Sequence, residues 1–280
     1  MNNHFTPTIK EGRLSILLAA LNCFDKWAYK REKQKECILK LYQGKSEKSV
    51  FRGMVIPSLR DLGLIIGKDN LIRPSANGRL LLEVQKKGEQ ELMRVARAIL
   101  LELDLEEFKV LSDVTPAQAY QESALINNLK DKVTGPSEKQ RVERVKRWLN
   151  LLKDSGIIFI KDKQIVLDYD KNIAAKEDIN STSKESDFKS ILFKEFKNLA
   201  TPETAGIVDI AKLREGLAIE YYKKRQVLTE RQFDNILRKI PLATDKYMIS
   251  LGQSMGANEK VFSYQDKQYR TITITFYGGI

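Results

Sequence analysis

Cysteine, histidine and long apolar runs are all scarce in this 280-residue chain, and each scarcity excludes a class of protein. Cys23 and Cys37 are too few for a disulfide scaffold or a clustered-thiolate zinc site. Fourteen residues apart in a helical stretch, they read as small buried hydrophobes, and a reducing compartment is the natural expectation. His4 is the only histidine, so Ser/His/Asp or Cys/His chemistry lacks its general base and a histidine-rich metal site cannot form. No run of about 18 apolar residues occurs, and the opening MNNHFTPTIKEG lacks the apolar stretch of a signal peptide. The expectation is a cytoplasmic protein with no membrane span.

What the chain does have is positive charge: 48 Lys and Arg against 37 Asp and Glu, net +11, the balance expected of a protein that meets polyanions. The surplus is localised. Residues 1–90 hold 17 basic and 9 acidic side chains, residues 91–180 hold 15 and 16, and residues 181–280 hold 16 and 12. With 42% hydrophobic residues the length suffices for two or three small cores.

Hydrophobic spacing divides the chain further. Leu14, Leu17, Leu18, Leu21 and Phe24 predict one helix, and Cys37, Ile38, Leu41 and Tyr42 a second. Phe51, Val55, Leu59 and Leu62 predict a third, capped at Ser49 and stopped at Gly63, with Pro57 ill-placed inside it. Leu64 to Arg73 reads as a hairpin, and NGRLLLEVQ as a closing helix. The middle repeats this order: a helix around Met93 to Leu103, one starting at Thr115-Pro116, and one capped near Ser137 with Val142, Val145, Leu149 and Leu152 inward. A second hairpin follows. Aligned, LRDLGLIIGKDNLI and LKDSGIIFIKDKQIV match Leu59 with Leu152, Asp61 with Asp154 and Gly63 with Gly156, an internal repeat. After the polar stretch KEDINSTSKES come two more helices, a third capped at Thr229, and strands at 248–251, 260–264 and 269–277.

The expected fold is therefore mainly α with short β-hairpins, an α+β chain with units at 1–90, 91–172 and 187–280 and a polar linker at 173–186. Helices followed by a two-stranded wing resemble the winged helix-turn-helix arrangement. LRDLGLIIGKDNLIRPSANGRLLLE is similar to that family's recognition helix, short wing and Pro-x-x-x-Gly-x-x-Leu-Leu continuation, and LTERQFDNILRKI to its recognition-helix segment. A tandem array of three such domains resembles the recognition regions of type IIS restriction endonucleases and, more loosely, small basic proteins accompanying bacterial defence systems. The resemblance implies a non-catalytic protein that binds double-stranded DNA and positions a protein partner, a nuclease, helicase or ATPase, with no cofactor.

DNA reading by this fold needs cations or amides on the outer helix face and on the wing. The first unit offers Lys48, Arg52, Arg60 and Lys68. The second offers Lys139, Arg141, Arg144, Lys146 and Arg147, with Lys161 and Lys163 on the wing. The third offers Arg231, Asn235, Arg238 and Lys239, flanked by Lys260 and Lys267. Solvated surface is the competing reading for each. Other readings of the whole chain are a protein-docking subunit of an ATPase or genome-maintenance complex, such as those that bind kleisins, and a replication initiator or transcriptional repressor. Weaker signals read as structure: Gly63 to Lys68 as a turn, Asp168 and Asp170 as a solvated turn, Trp27 and Trp148 as packing aromatics. Tyr221-Tyr222-Lys223-Lys224-Arg225 stands equally well as a phosphate contact or a helix end.

Overall fold

The leucine stripe of the first expected helix is the buried side of α1 (Leu14–Lys26) in a computed structural model that describes residues 9–68, 71–104, 108–109, 111, 118–168, 185–253 and 261–277. On α2 (Arg31–Leu39) Ile38 is enclosed, and Cys37 meets Cys23 of α1 with their Cα atoms 5.7 Å apart, joined as a disulfide. This corrects the expectation of two separate buried hydrophobes. The helical hairpin brings positions fourteen residues apart face to face, within the Cα separation a disulfide spans.

The third helix is continuous but changes pitch: Lys48–Val55 is a π-helix, and α3 (Ile56–Asp61) follows directly. Pro57 falls in the first turn of α3, where a missing N–H costs least. The wider i→i+5 turn ahead of it accommodates a ring that an unbroken α-helix would press against the carbonyl four residues back. Ser49 lies inside this π-helix and does not cap it as expected; the N-cap position is Glu47, with no side-chain cap bond, and the Ser46 hydroxyl just before it accepts the Ser49 N–H at 3.3 Å.

Gly63 and Gly156 end their helices in the same way. Each has a positive φ, +67° and +69°. Gly63 and Leu64 donate to the carbonyls of Arg60 and Leu59, while Gly156 and Ile157 donate to those of Lys153 and Leu152. Both are the paired 5→2 and 6→1 bonds of a Schellman motif, which glycine favours because it adopts the left-handed region without a Cβ penalty. The equivalence continues through the hairpins: the Ser75 N–H donates to the Leu64 carbonyl, and the Asp168 N–H to that of Ile157, at the same offset. The internal repeat is thus present in the backbone.

The first hairpin pairs β1 (Ile65–Ile66) with β2 (Arg73–Pro74), and α4 (Ala76–Gln85) follows, its Ser75 cap accepting from Gly78. A Cβ at Gly78 would fall on the Leu64 carbonyl oxygen, so this helix can pack against the hairpin only with glycine there. The second unit runs α5 (Glu89–Leu103), β3 (Tyr120–Gln121), α6 (Glu122–Lys130), α7 (Glu138–Asp154), β4 (Ile158–Lys161) and β5 (Gln164–Leu167), with sheet order β3-β5-β4. Ser137 caps α7 as expected; the Thr115-Pro116 start lies outside the described residues. The third unit runs α8 (Glu185–Leu199), β6 (Val208–Asp209), α9 (Ile210–Lys223), α10 (Glu230–Leu237), β7 (Tyr247–Gln253), β8 (Phe262–Tyr264) and β9 (Lys267–Phe276). Its sheet order is β6-β9-β7, with β8 also on β9. Second and third units therefore share one plan, in which the first strand pairs with the last. Most of the expected linker lies outside the described residues.

Ten α-helices among the described residues and small antiparallel sheets make the chain a mainly helical α+β protein. Buried side chains from Ile9 to Ile165 form one contiguous core that also takes in Ala218 and Val227 of the third unit, so the first two units are packed as one and the third leans on them; most of the buried side chains from Phe188 to Ile274 form another core. The segment before α1 stitches the first two units together. Lys10 and Glu11 N–H groups donate to Ser58 Oγ at 2.9 and 3.0 Å, and Leu14 N–H donates to the Asp154 carboxylate at 2.9 Å. A Cβ on Gly12 would lie 2.7 Å from the Arg147 carbonyl oxygen, so this segment can press against α7 only because Gly12 has none.

Candidate nucleic-acid interface

Charge on the outer face of a helix binds a polyanion only if it is not already committed, and the three units differ on that point. In the first, the π-helix carries Lys48 and Arg52, α3 carries Arg60, and the hairpin turn carries Lys68; all four line one open cleft of about 620 Å³. Arg31 and Lys35 of α2 line it too, over a floor that includes Phe51, Ile56 and Ile72. Six cations face a single acid there, Glu47. Lys48, Arg52 and Lys68 are exposed and have no ion-pair or hydrogen-bond partner among the described residues. Arg60 braces the turn by donating to the Gly67 carbonyl at 3.2 Å, which holds Lys68 over the cleft. Lys35 pairs with Glu32 and Glu47, both at 3.0 Å, and those carboxylates raise its pKa.

On α7 the cations are mostly spent on the second unit itself. Arg141 reaches the Gly135 carbonyl at 3.5 Å and Asp131 at 4.0 Å. Arg144 donates to the backbone and hydroxyl of Thr134, so these two arginines brace the turn between α6 and α7. Arg147 pairs with Glu143 at 3.9 Å, and its backbone is covered by the segment at Gly12. Lys139 and Lys146 stay exposed and unpaired among the described residues, as do Lys161 and Lys163 at the β4–β5 turn. Asp162 and Lys163 take positive φ there, so the wing is a tight two-residue turn.

The third unit presents its helix differently again. Thr229 and Gln232 form a capping box at the start of α10. Glu230, 7% exposed, accepts the N–H groups of Ala76 and Asn77 at 2.7 and 3.3 Å, and Asn77 Oδ1 accepts the Glu230 N–H at 3.0 Å. The first turns of α4 and α10 thus satisfy each other's unpaired donors, with a carboxylate favourably placed at a helix N-terminus. Arg73 adds a 3.1 Å ion pair to Glu215 of α9. Burial pushes the Glu215 carboxyl up, and Arg73 and Arg79 oppose that shift. Arg231 and Arg238 line a cavity of about 470 Å³ where all three units meet, shared with Asp61 of the first, Glu102 of the second and Asp234 of the third. Asp234 is itself clamped by Arg214 through two bonds of 2.9 Å; burial raises its pKa against that cation. Arg238 donates to the Ser263 carbonyl at 2.9 Å and to Asn235 at 2.8 Å. Lys239 and Lys267 are exposed, and Lys260 lies outside the described residues.

The structure therefore gathers the four first-unit candidates, together with Arg31 and Lys35, which spacing along the third helix could not have indicated. Trp148 is fully buried and donates to Asp104 at 2.7 Å, a packing aromatic. Tyr221 is buried, Tyr222 packs against Arg94, and Lys223 pairs with Glu220, so the Tyr221–Arg225 stretch is a docked helix end. Gly63 to Lys68 belongs to the helix stop and hairpin. Asp168 follows β5, and Asp170 lies outside the described residues. Among the described residues no group of three or more His, Cys, Asp or Glu side chains is placed to hold a metal ion, and no helix is long and apolar enough to cross a membrane. Comparison with known protein families, curated proteins and solved structures finds no match to the chain.

Proposed function

We propose that the chain is a tandem array of three winged helices that binds duplex DNA without transforming it, gripping it chiefly through the first unit and presenting a partner enzyme to it. The shared plan of the second and third units, with the first strand on the last, supports the fold reading, as do the matching Schellman stops and hairpins of the first and second. One observation carries the DNA reading: Lys48, Arg52 and Lys68, without an ion-pair or hydrogen-bond partner among the described residues, converge with Arg31 on an open cleft beside a hairpin wing. Phosphates entering the cleft would release counterions, so affinity for a blunt duplex should fall steeply between about 50 and 200 mM salt. Fluorescence anisotropy with a labelled duplex tests this; absence of binding at about 50 mM overturns it.

Docking of a partner rests on a separate edge. On the edge strand β4, Phe159 and Ile160 are 40% and 51% exposed on opposite sides of the sheet, and among the described residues only one side of that strand is paired. A nuclease or helicase of a bacterial defence system is the partner class that the family resemblance suggests. Replacing both residues with Ser should leave duplex binding unchanged, and co-purification with such a partner should be lost.

A further inference from the structure

The basic cleft does not end at the third helix. Arg31 lines it and also lines a shallow hollow of about 450 Å³ formed by the turn between α1 and α2, with Tyr29, Lys30, Lys33 and one acid, Glu32, which is paired with Lys35. Two aromatic rings stand in this turn, and their surroundings differ. Trp27 is half-buried, and its ring is occupied by Lys26 and Lys33, whose ammonium groups lie 5.4 and 6.0 Å from the ring centroid. Tyr29 is 62% exposed, and no ring or cation contact covers it among the described residues. Its φ is +64°, a conformation that bulky side chains seldom adopt, held by the Lys30 N–H bond to the Trp27 carbonyl at 2.9 Å. The turn thus holds an uncovered aromatic face among cations, at the end of a cleft suited to phosphates.

Base pairs in a duplex hide their faces from such a ring. An unpaired base offers its face, and stacking on an exposed aromatic beside cations is the usual way a protein takes one up. We propose that Tyr29 receives an unpaired base adjoining the duplex held in the first-unit cleft, so that the preferred ligand is a DNA junction with a single-stranded extension. This rests on the duplex-binding reading above. The phosphate of the same nucleotide would meet Arg31 or Lys30, which makes recognition depend on ring face and charge, with no base identity read.

The test compares a blunt duplex with the same duplex bearing a short single-stranded overhang, using wild type, Tyr29→Ala and Tyr29→Phe. Wild type should bind the overhang substrate about tenfold more tightly, Tyr29→Ala should bind both substrates alike, and Tyr29→Phe should keep the preference. A fluorescent purine analogue at the first unpaired position should be quenched by wild type and not by Tyr29→Ala. Equal affinity of wild type for the two substrates, or a preference that survives in Tyr29→Ala, overturns the proposal while leaving duplex binding standing. Failure to bind either substrate overturns both. Tyr29 is exposed, so unchanged thermal unfolding of the variants excludes loss of fold as the cause.

Discussion

The cleft of the first unit and the outer face of α7 carry similar numbers of cations, yet they have opposite local roles. Lys48, Arg52 and Lys68 line an open cleft with no partner among the described residues, whereas Arg141, Arg144 and Arg147 are engaged by the α6–α7 turn and a neighbouring acid. An arginine already donating to a carbonyl must break that bond to meet a phosphate, and its net gain is correspondingly small. The density of basic residues along a helix is therefore a poorer guide to a binding face than whether each has an internal partner. On the most basic helix in the sequence, three arginines hold their own unit together, and Lys139 and Lys146 remain exposed.

The largest effect expected from this difference is on binding. Reversing Lys48, Arg52 and Lys68 to Glu together should weaken duplex affinity by about 100-fold or more and lower the slope of log affinity against log salt by about three, one for each phosphate no longer neutralised. Anisotropy titrations over a salt series measure both. Reduction of the Cys23–Cys37 disulfide comes next. It ties α2, with Arg31 and Lys35, to α1 across a separation of 14 residues, and opening a loop of that size should cost about 3 kcal/mol of stability. Denaturant unfolding with and without reductant reads this, and Cys23→Ser with Cys37→Ser should unfold at the reduced midpoint in both.

The joint between the first and third units supplies a third contrast. Glu230→Ala leaves two buried helix-terminal N–H groups of α4 without their carboxylate and should cost about 2 kcal/mol of stability. Duplex affinity through the cleft should change little. A smaller effect follows from Glu11. Burial pushes its carboxyl up, but bonds from Arg13 and from Tyr42 at 2.7 Å outweigh this and hold it below the usual carboxylate range. Because the folded value is depressed, its contribution is present above the ordinary carboxylate range and lost as pH falls through the folded value. Urea midpoints across the acid range should show a flatter dependence for Glu11→Gln than for wild type. The smallest effect expected is for Lys139→Glu with Lys146→Glu on α7, less than about threefold in duplex affinity, in keeping with the value of a solvated surface charge.

Features set by neighbours in sequence were legible from it. The glycine stops after α3 and α7, the caps at Ser137 and Thr229 and the hairpins all follow from local backbone chemistry. Ser49 falls inside the helix because the chain enters it earlier, at Glu47, and Pro57 fixes which turn begins the regular helix. Long-range features were not legible. Nothing in the local pattern of Glu230 or Asn77 announces that they will meet across 153 residues, nor that Cys23 and Cys37 will face each other. Helical spacing points to Lys48, Arg52 and Arg60 and the expected wing to Lys68, while neither points to Arg31 or Lys35. The signal that could have found them is the stretch in which Trp27 and Tyr29 interleave with Lys26, Lys30, Arg31, Lys33 and Lys35.

Reactivity of individual lysines in one sample compares both regions at once. Acetylation of the intact protein, followed by mass spectrometry with and without saturating duplex, should show Lys48 and Lys68 protected by DNA and Lys139 and Lys146 unchanged. Protection of Lys139 and Lys146 with Lys48 and Lys68 left reactive would contradict the assignment of the first-unit cleft as the DNA-gripping surface.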